Sequence, residues 1–190
     1  MSRFVDRGAI IAAYVGIGMA LTIVVSFMLF IPIEWVIWVL ALPSGLLIGY
    51  YANQRSARRA GPWGRILVNG LFAGVVTGLT AAILLLAIKA LFFYADTGFR
   101  DPGQGGQITC STGADCVYQR YVQAGRGPDL ATAGITDPAS FTGFYWKEQV
   151  GSAETILVLT IVGGLGGAGL YGVFRPKPIE AGAGSAPART

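Results

Sequence analysis

The sequence predicts an all-α membrane protein: a four-span transmembrane helix bundle with a small extracytoplasmic loop subdomain between spans three and four. Three observations carry that prediction. Of the 190 residues, 53% are hydrophobic and only 13% are charged, with a mean hydropathy of +0.57, which leaves too little charge for a water-facing surface. Four stretches reach the roughly 20 apolar residues needed to cross ~30 Å of hydrocarbon at ~1.5 Å per residue. Lysine and arginine also collect on one side of those stretches. The same composition argues against a cytosolic enzyme or a disordered chain, and the net charge of +4 is not that of a nucleic-acid-binding domain.

Span one, residues 8–31, is uncharged and follows Arg3 and Arg7. It is too long for the apolar region of a secretory signal, and Phe30, Ile31, Pro32, Ile33 and Glu34 offer no small-residue cleavage site, so it is read as an uncleaved span. Span two, 33–52, follows at once, with Pro32 and Glu34 in the connection. Span three, 66–94, carries a single charge, Lys89, near its end. Span four, 152–174, has Glu154 at the threshold of an uncharged run that begins at Thr155. The tail, 175–190, is rich in Ala, Gly and Pro and is expected to be disordered.

Orientation follows from the flanks. Arg3, Arg7, Arg55, Arg58, Arg59, Arg65, Arg175, Lys177 and Arg189 fall on one side, offset only by Asp6 and Glu180. The other side has Arg100, Arg120, Arg126 and Lys147 against the more numerous acids Glu34, Asp96, Asp101, Asp115, Asp129, Asp137 and Glu148. Positive-inside bias places both termini in the cytoplasm of a bacterial inner membrane and exposes the 95–151 loop outside.

Within that loop, residues 101–106 are turn material. An amphipathic helix is expected over 116–123, with Val117, Tyr118, Tyr121 and Val122 on one side. Asp137-Pro138 reads as an N-cap with Pro at N1, opening a helix through Phe141, Phe144, Tyr145 and Trp146. That helix is expected to lie in the outer interface and feed span four. Cys110 and Cys116, with five residues between them, are expected to form a disulfide in the oxidising compartment.

The chain has no histidine. Histidine-ligated haem or zinc, Ser-His-Asp and Cys-His nucleophiles and imidazole relays are therefore excluded, and no catalytic, cofactor or metal residue is assigned. Gly163-Gly-Leu-Gly-Gly-Ala-Gly169 lacks the preceding strand and the Lys-Ser/Thr of a phosphate loop. Helix packing accounts for it better, because helices in lipid associate where small residues let backbones approach. Gly45 and Gly49 in span two, Gly70, Gly74 and Gly78 in span three, and Gly163 and Gly167 in span four are the expected packing positions. Alternating span directions put all of them in one half of the bundle, which should be tight there and wider at the other end. Lys89 and Glu154 are the ionisable groups nearest hydrocarbon, and they are expected to pair within the membrane if spans three and four are neighbours.

Four spans with outward cysteines between the third and fourth form a layout that resembles the quinone-linked disulfide-forming membrane proteins. Those carry Cys-x-x-Cys in their first outer loop, which here has no cysteine, and the large loop lacks the Cys-Cys-Gly of tetraspanins; no family is assigned. The functional expectation is a non-enzymatic accessory or scaffold subunit, in contact with membrane lipids and with a membrane-protein partner or a second copy, and with no nucleic acid. The alternative is a small transporter or a lipid- or small-molecule-binding protein using an outward-facing cleft near Lys89 and Glu154. A disulfide-redox membrane protein is third.

Overall fold

A computed structural model of the chain describes residues 5–30, 34–56, 61–95 and 113–174, and every regular element among them is helical. Helix α1 (Arg7–Val25) runs on into a π-helical turn, Ser26–Phe30. It is followed by α2 (Glu34–Gln54) and α3 (Trp63–Tyr94). A short helix α4 (Ala114–Tyr121) leads through a π-helical turn, Val122–Arg126, into α5 (Gly127–Thr132), and α6 (Pro138–Phe174) completes the fold. Four helices, α1 with its π-helical turn, α2, α3 and α6, are long and apolar enough to cross a membrane, as expected of a multi-pass membrane protein. Cys110, the 101–106 turn, the 31–33 connection and the 175–190 tail lie outside the described residues.

Local chemistry sets the helix starts. The Asp6 carboxylate accepts from the Arg7 N–H at 2.6 Å and opens α1. Asp137 caps α6 as its sequence indicates, accepting from the Ser140 N–H at 3.0 Å and the Ala139 N–H at 2.9 Å. The Ser140 bonds, backbone first and then hydroxyl, hold the Asp137 carboxyl below the usual carboxylate range.

One expectation is revised here. The helix that starts at Pro138 does not lie separately in the membrane interface, because α6 is continuous for 37 residues, about 56 Å at 1.5 Å per residue. Neither Pro nor a cap residue interrupts it after Pro138, so residues 138–151 stand coaxial with the apolar part and project beyond any ~30 Å span.

The long helices are apolar around their circumference, so side-chain size rather than polarity separates inside from outside. Tyr14, Trp35, Leu47, Ile83 and Val173 point outwards, while Ala9, Ala12, Ala52, Ala73 and Ala168 are buried. α2 and α3 touch along the middle of the bundle, and α1 and α6 pack against that pair from opposite flanks.

The glycines set how closely α6 approaches. A Cβ at Gly163 would strike the carbonyl oxygen of Leu42, and one at Gly167 that of Leu46, both on α2. A Cβ at Gly45 or Gly49 would meet the carbonyl of Thr160 or Gly164. On the α3 side, a Cβ at Gly70 would lie 2.5 Å from the Gly164 oxygen, one at Gly74 would lie 3.0 Å from the Thr160 oxygen, and one at Gly78 would lie 3.0 Å from Leu157 Cδ1. All seven expected packing glycines therefore sit in helix contacts. Among them Gly167 faces α2, whereas Gly164 is the residue opposite Gly74 on α3. One residue is ~100° of helix, which is enough to move a glycine from one neighbour to the other.

At the same end of the bundle a buried polar clasp ties three helices together. Asn53 Nδ2 donates to the Gly49 and Ile66 carbonyls at 3.0 and 3.1 Å, and Asn69 Nδ2 donates to Asn53 Oδ1 at 3.4 Å. Asn69 Oδ1 accepts from the Asp6 N–H at 3.3 Å, and the Ser56 hydroxyl donates to the Asp6 carboxylate. Both asparagines are buried.

Candidate functional site: a cleft at the Lys89 end

Away from the glycine seam, Trp35 and Trp38 on α2 and Tyr145, Glu148 and Gln149 on α6 line open space. Residues 113–137, between α3 and α6, pack over this end. Gly113, at φ 93°, a backbone conformation that favours glycine, turns the chain so that its N–H reaches the Phe93 carbonyl at 2.8 Å and starts α4 above the end of α3. Gly125, at φ 81°, bends the chain between α4 and α5.

An aromatic cluster seats these short helices on α6. The Phe93 and Tyr145 ring centroids are 4.9 Å apart, and those of Tyr121 and Phe141 are 5.0 Å apart, with Leu130 and Phe141 fully buried among them. Arg126 then clamps the π-helical turn to α6. Its Nη2 and Nη1 donate to the two oxygens of Glu148 at 2.7 and 3.2 Å, its Nε lies 3.6 Å from Asp129, and its guanidinium lies 4.6 Å over the Tyr121 ring. The Tyr121 hydroxyl donates to the same Glu148 oxygen at 2.9 Å. Burial, and then the Glu148 charge beside it, push the Tyr121 phenol far above its usual range, so it remains a hydrogen-bond donor. The hydrogen bonds to Glu148 also raise the Arg126 guanidinium above its usual value.

Beneath this cover lie two adjoining cavities that share Glu34, Tyr121 and Arg126. The inner one, about 240 Å³, reaches Lys89, Arg120 and Phe93, and the outer one, about 650 Å³, opens between Trp35 and Trp38 of α2 and Glu148, Gln149 and Ser152 of α6. The larger falls within the size range of small-molecule sites, and like them it mixes apolar walls with a few convergent polar groups. Among the described residues no cluster of metal-ligating side chains is found.

The expected Lys89 to Glu154 pair is corrected. Lys89 Nζ bonds Glu34 Oε2 at 2.6 Å, with side-chain exposures of 17% and 34%. Glu154 is exposed and does not line the cleft. Helix phase decides this, since the inward stripe of α6 runs through Tyr145, Gln149, Ser152, Ala153, Ile156 and Thr160 and Glu154 falls on the reverse side. Glu34, in the first turn of α2, stands level with Lys89, near the end of the antiparallel α3. Cys116 is buried in the first turn of α4, and its expected partner Cys110 lies outside the described residues.

Sequence reasoning did not single out Glu34, Arg126, Glu148 or Gln149. The signal for Gln149 was there: the spacing of the glycine seam, continued towards the start of α6, reaches Ser152, Gln149 and Tyr145 in turn. Arg126 and Glu148 are brought together by the bend at Gly125, which carries no pattern along the chain.

Among the described residues the molecule is all-helical, with four membrane-length apolar helices and an open cleft at one end. No known family, curated protein or solved structure matches the chain.

Proposed function

We propose that this is a non-enzymatic, ligand-binding protein of a bacterial inner membrane, holding a lipid or small molecule in the cleft beside Lys89. Both termini lie in the cytoplasm, and the 95–151 segment and the cleft face outside, with a Cys110 to Cys116 disulfide bracing the segment. The observation that carries this reading is the open cleft of about 650 Å³ lined by Trp35, Trp38, Arg126, Glu148 and Gln149.

The orientation rests on the charge bias, and reporter fusions test it: Gly61 and Thr190 should read cytoplasmic and Gly125 external. The binding reading is tested by purification in mild detergent with mass spectrometry of what is retained. A bound lipid or small molecule, lost in Trp35→Ala, supports it, and a preparation free of any such molecule counts against it.

A second reading, an accessory or scaffold subunit, is favoured by Gly166 and Gly169 on α6. A Cβ at either would meet open space within this chain, and small residues on a lipid-facing helix admit a neighbouring helix. A stoichiometric protein partner in the same purification supports that reading.

A further inference from the structure

Four charged side chains of the cleft neutralise one another in pairs. Lys89 bonds Glu34 at 2.6 Å, and Arg126 bonds both oxygens of Glu148 at 2.7 and 3.2 Å. An ionic headgroup would have to displace one member of such a pair and leave the other charge uncompensated in a partly buried site, which is costly. An occupant without net charge leaves both pairs intact.

The pair of Lys89 and Glu34 nevertheless keeps hydrogen-bonding capacity of both kinds. An ammonium has three donors and a carboxylate two acceptor oxygens, and among the described residues the one bond that either side chain makes joins Nζ to Oε2. Lys89 lines the inner cavity and Glu34 lines both, so spare donors and a spare acceptor stand side by side at the cleft wall. A hydroxyl group suits such a pair: its oxygen accepts from Lys89 and its hydrogen goes to Glu34. On the α6 wall Ser152 is 9% exposed, yet its hydroxyl has no hydrogen-bond partner among the described residues, which gives a second hydroxyl a place. Buried polar groups are nearly always satisfied.

The α2 wall adds an apolar platform. Trp35, Trp38, Val39 and Leu42 recur at the spacing of one helix face and are 62%, 39%, 58% and 41% exposed. The two indoles line the outer cavity, and Val39 and Leu42 continue the stripe along the outside of the bundle into the apolar span. An indole face covers the C–H face of a sugar ring as it covers other apolar surface, while the hydroxyls of the ring project from its edge. We propose that the cleft takes an uncharged amphiphile with a sugar headgroup. Its ring packs on Trp35 and Trp38, its hydroxyls bond the Lys89 and Glu34 pair and Ser152, and its tail runs down the stripe through Val39 and Leu42. This proposal rests on the ligand-binding reading above and specifies its ligand class.

The test uses the full chain in phosphatidylcholine nanodiscs, with native mass spectrometry counting bound probe. Dodecyl glucoside should bind one per chain and at least tenfold more tightly than its tetra-O-methyl ether, which keeps the ring and the tail but has no O–H to donate. It should also bind at least tenfold more tightly than dodecylammonium or dodecanoate. Lys89→Met combined with Glu34→Met, which removes the pair without leaving a lone charge, should erase the preference over the ether, and Trp35→Ala, at an exposed position that folding tolerates, should weaken the glucoside. Equal binding of the glucoside and its ether to the native chain overturns the sugar assignment, as does a preference that survives the double change. Stoichiometric, Trp35-dependent binding of dodecylammonium or dodecanoate in place of the glucoside would retain the cleft as a binding site and reject its proposed chemistry. Failure of every probe to bind in a Trp35-dependent way would reject both.

Discussion

Adding one methyl group at neighbouring positions of α6 should have opposite effects. At Gly167 the new Cβ would collide with the Leu46 carbonyl oxygen and lie 2.7 Å from the Tyr50 nitrogen, all backbone that cannot rotate away, whereas at Gly166 it would meet nothing within 4 Å. Relieving the Gly167 contact requires α2 and α6 to part by about 1 Å, which costs roughly 40 atom pairs about half of their ~0.1–0.2 kcal/mol each, or about 3 kcal/mol. The helix-propensity gain of Ala over Gly returns about 1 kcal/mol, leaving Gly167→Ala destabilised by about 2 kcal/mol, within the usual range for overpacking. Gly166→Ala keeps only the gain. In detergent, thermal unfolding should place Gly167→Ala about 4–8 °C below the native chain and Gly166→Ala about 2 °C above it. Gly74→Ala, whose nearest backbone atom is the Thr160 oxygen at 3.0 Å, should fall between them. Equal shifts for the two neighbours, or a stabilised Gly167→Ala, would refute the seam between α2 and α6.

The Lys89 partner is decided by charge exchange: Lys89→Glu with Glu34→Lys should recover stability that each single change loses, and Lys89→Glu with Glu154→Lys should not, as a double-mutant cycle in thermal unfolding will read. Arg126→Ala should loosen residues 114–132 while leaving the bundle intact, at a cost of about 1 kcal/mol for a half-exposed pair; faster amide exchange confined to that segment is the expected signature, and unchanged exchange there would show that the aromatic cluster suffices. If Cys110 and Cys116 are bridged outside the cell, neither should react with an impermeant maleimide until reductant is added, and Cys110→Ser should make Cys116 reactive once the segment is loosened by mild denaturant.

The four long helices and the packing glycines were legible because both depend on properties local to the chain: length of apolar run, and small residues at one-turn spacing. The Asp137-Pro138 start of α6 was legible for the same reason. Partner choice was not. Lys89 had two carboxylates near its level, and the choice of Glu34 over Glu154 turned on the rotational phase of α6, which an apolar helix without a polar face does not reveal. The clasp of Asp6, Asn53, Ser56 and Asn69 draws on three helices, and its members look like scattered polar residues until α1, α2 and α3 are brought together. The cleft was foreshadowed as a wide end with an outward-facing space near Lys89, and the amphipathic 116–123 run indicated the helix beside it, but the seating of that helix depends on Gly113 and Gly125 adopting positive φ, which nothing along the chain marks.

The unbroken length of α6 makes it a lever with a fulcrum. Gly164 is the point where its backbone is wedged between α2 and α3, and Gln149 stands about 22 Å farther along the same rod. A tilt of about 5° around that point moves Gln149 by about 2 Å, enough to make or lose a hydrogen bond, and it carries α4 and α5 with it because Arg126 and the aromatic cluster fasten them to the rod. An occupant that displaced α6 at Gln149 would therefore also change the angle of the rod at the other end of the bundle, where the backbones are closest.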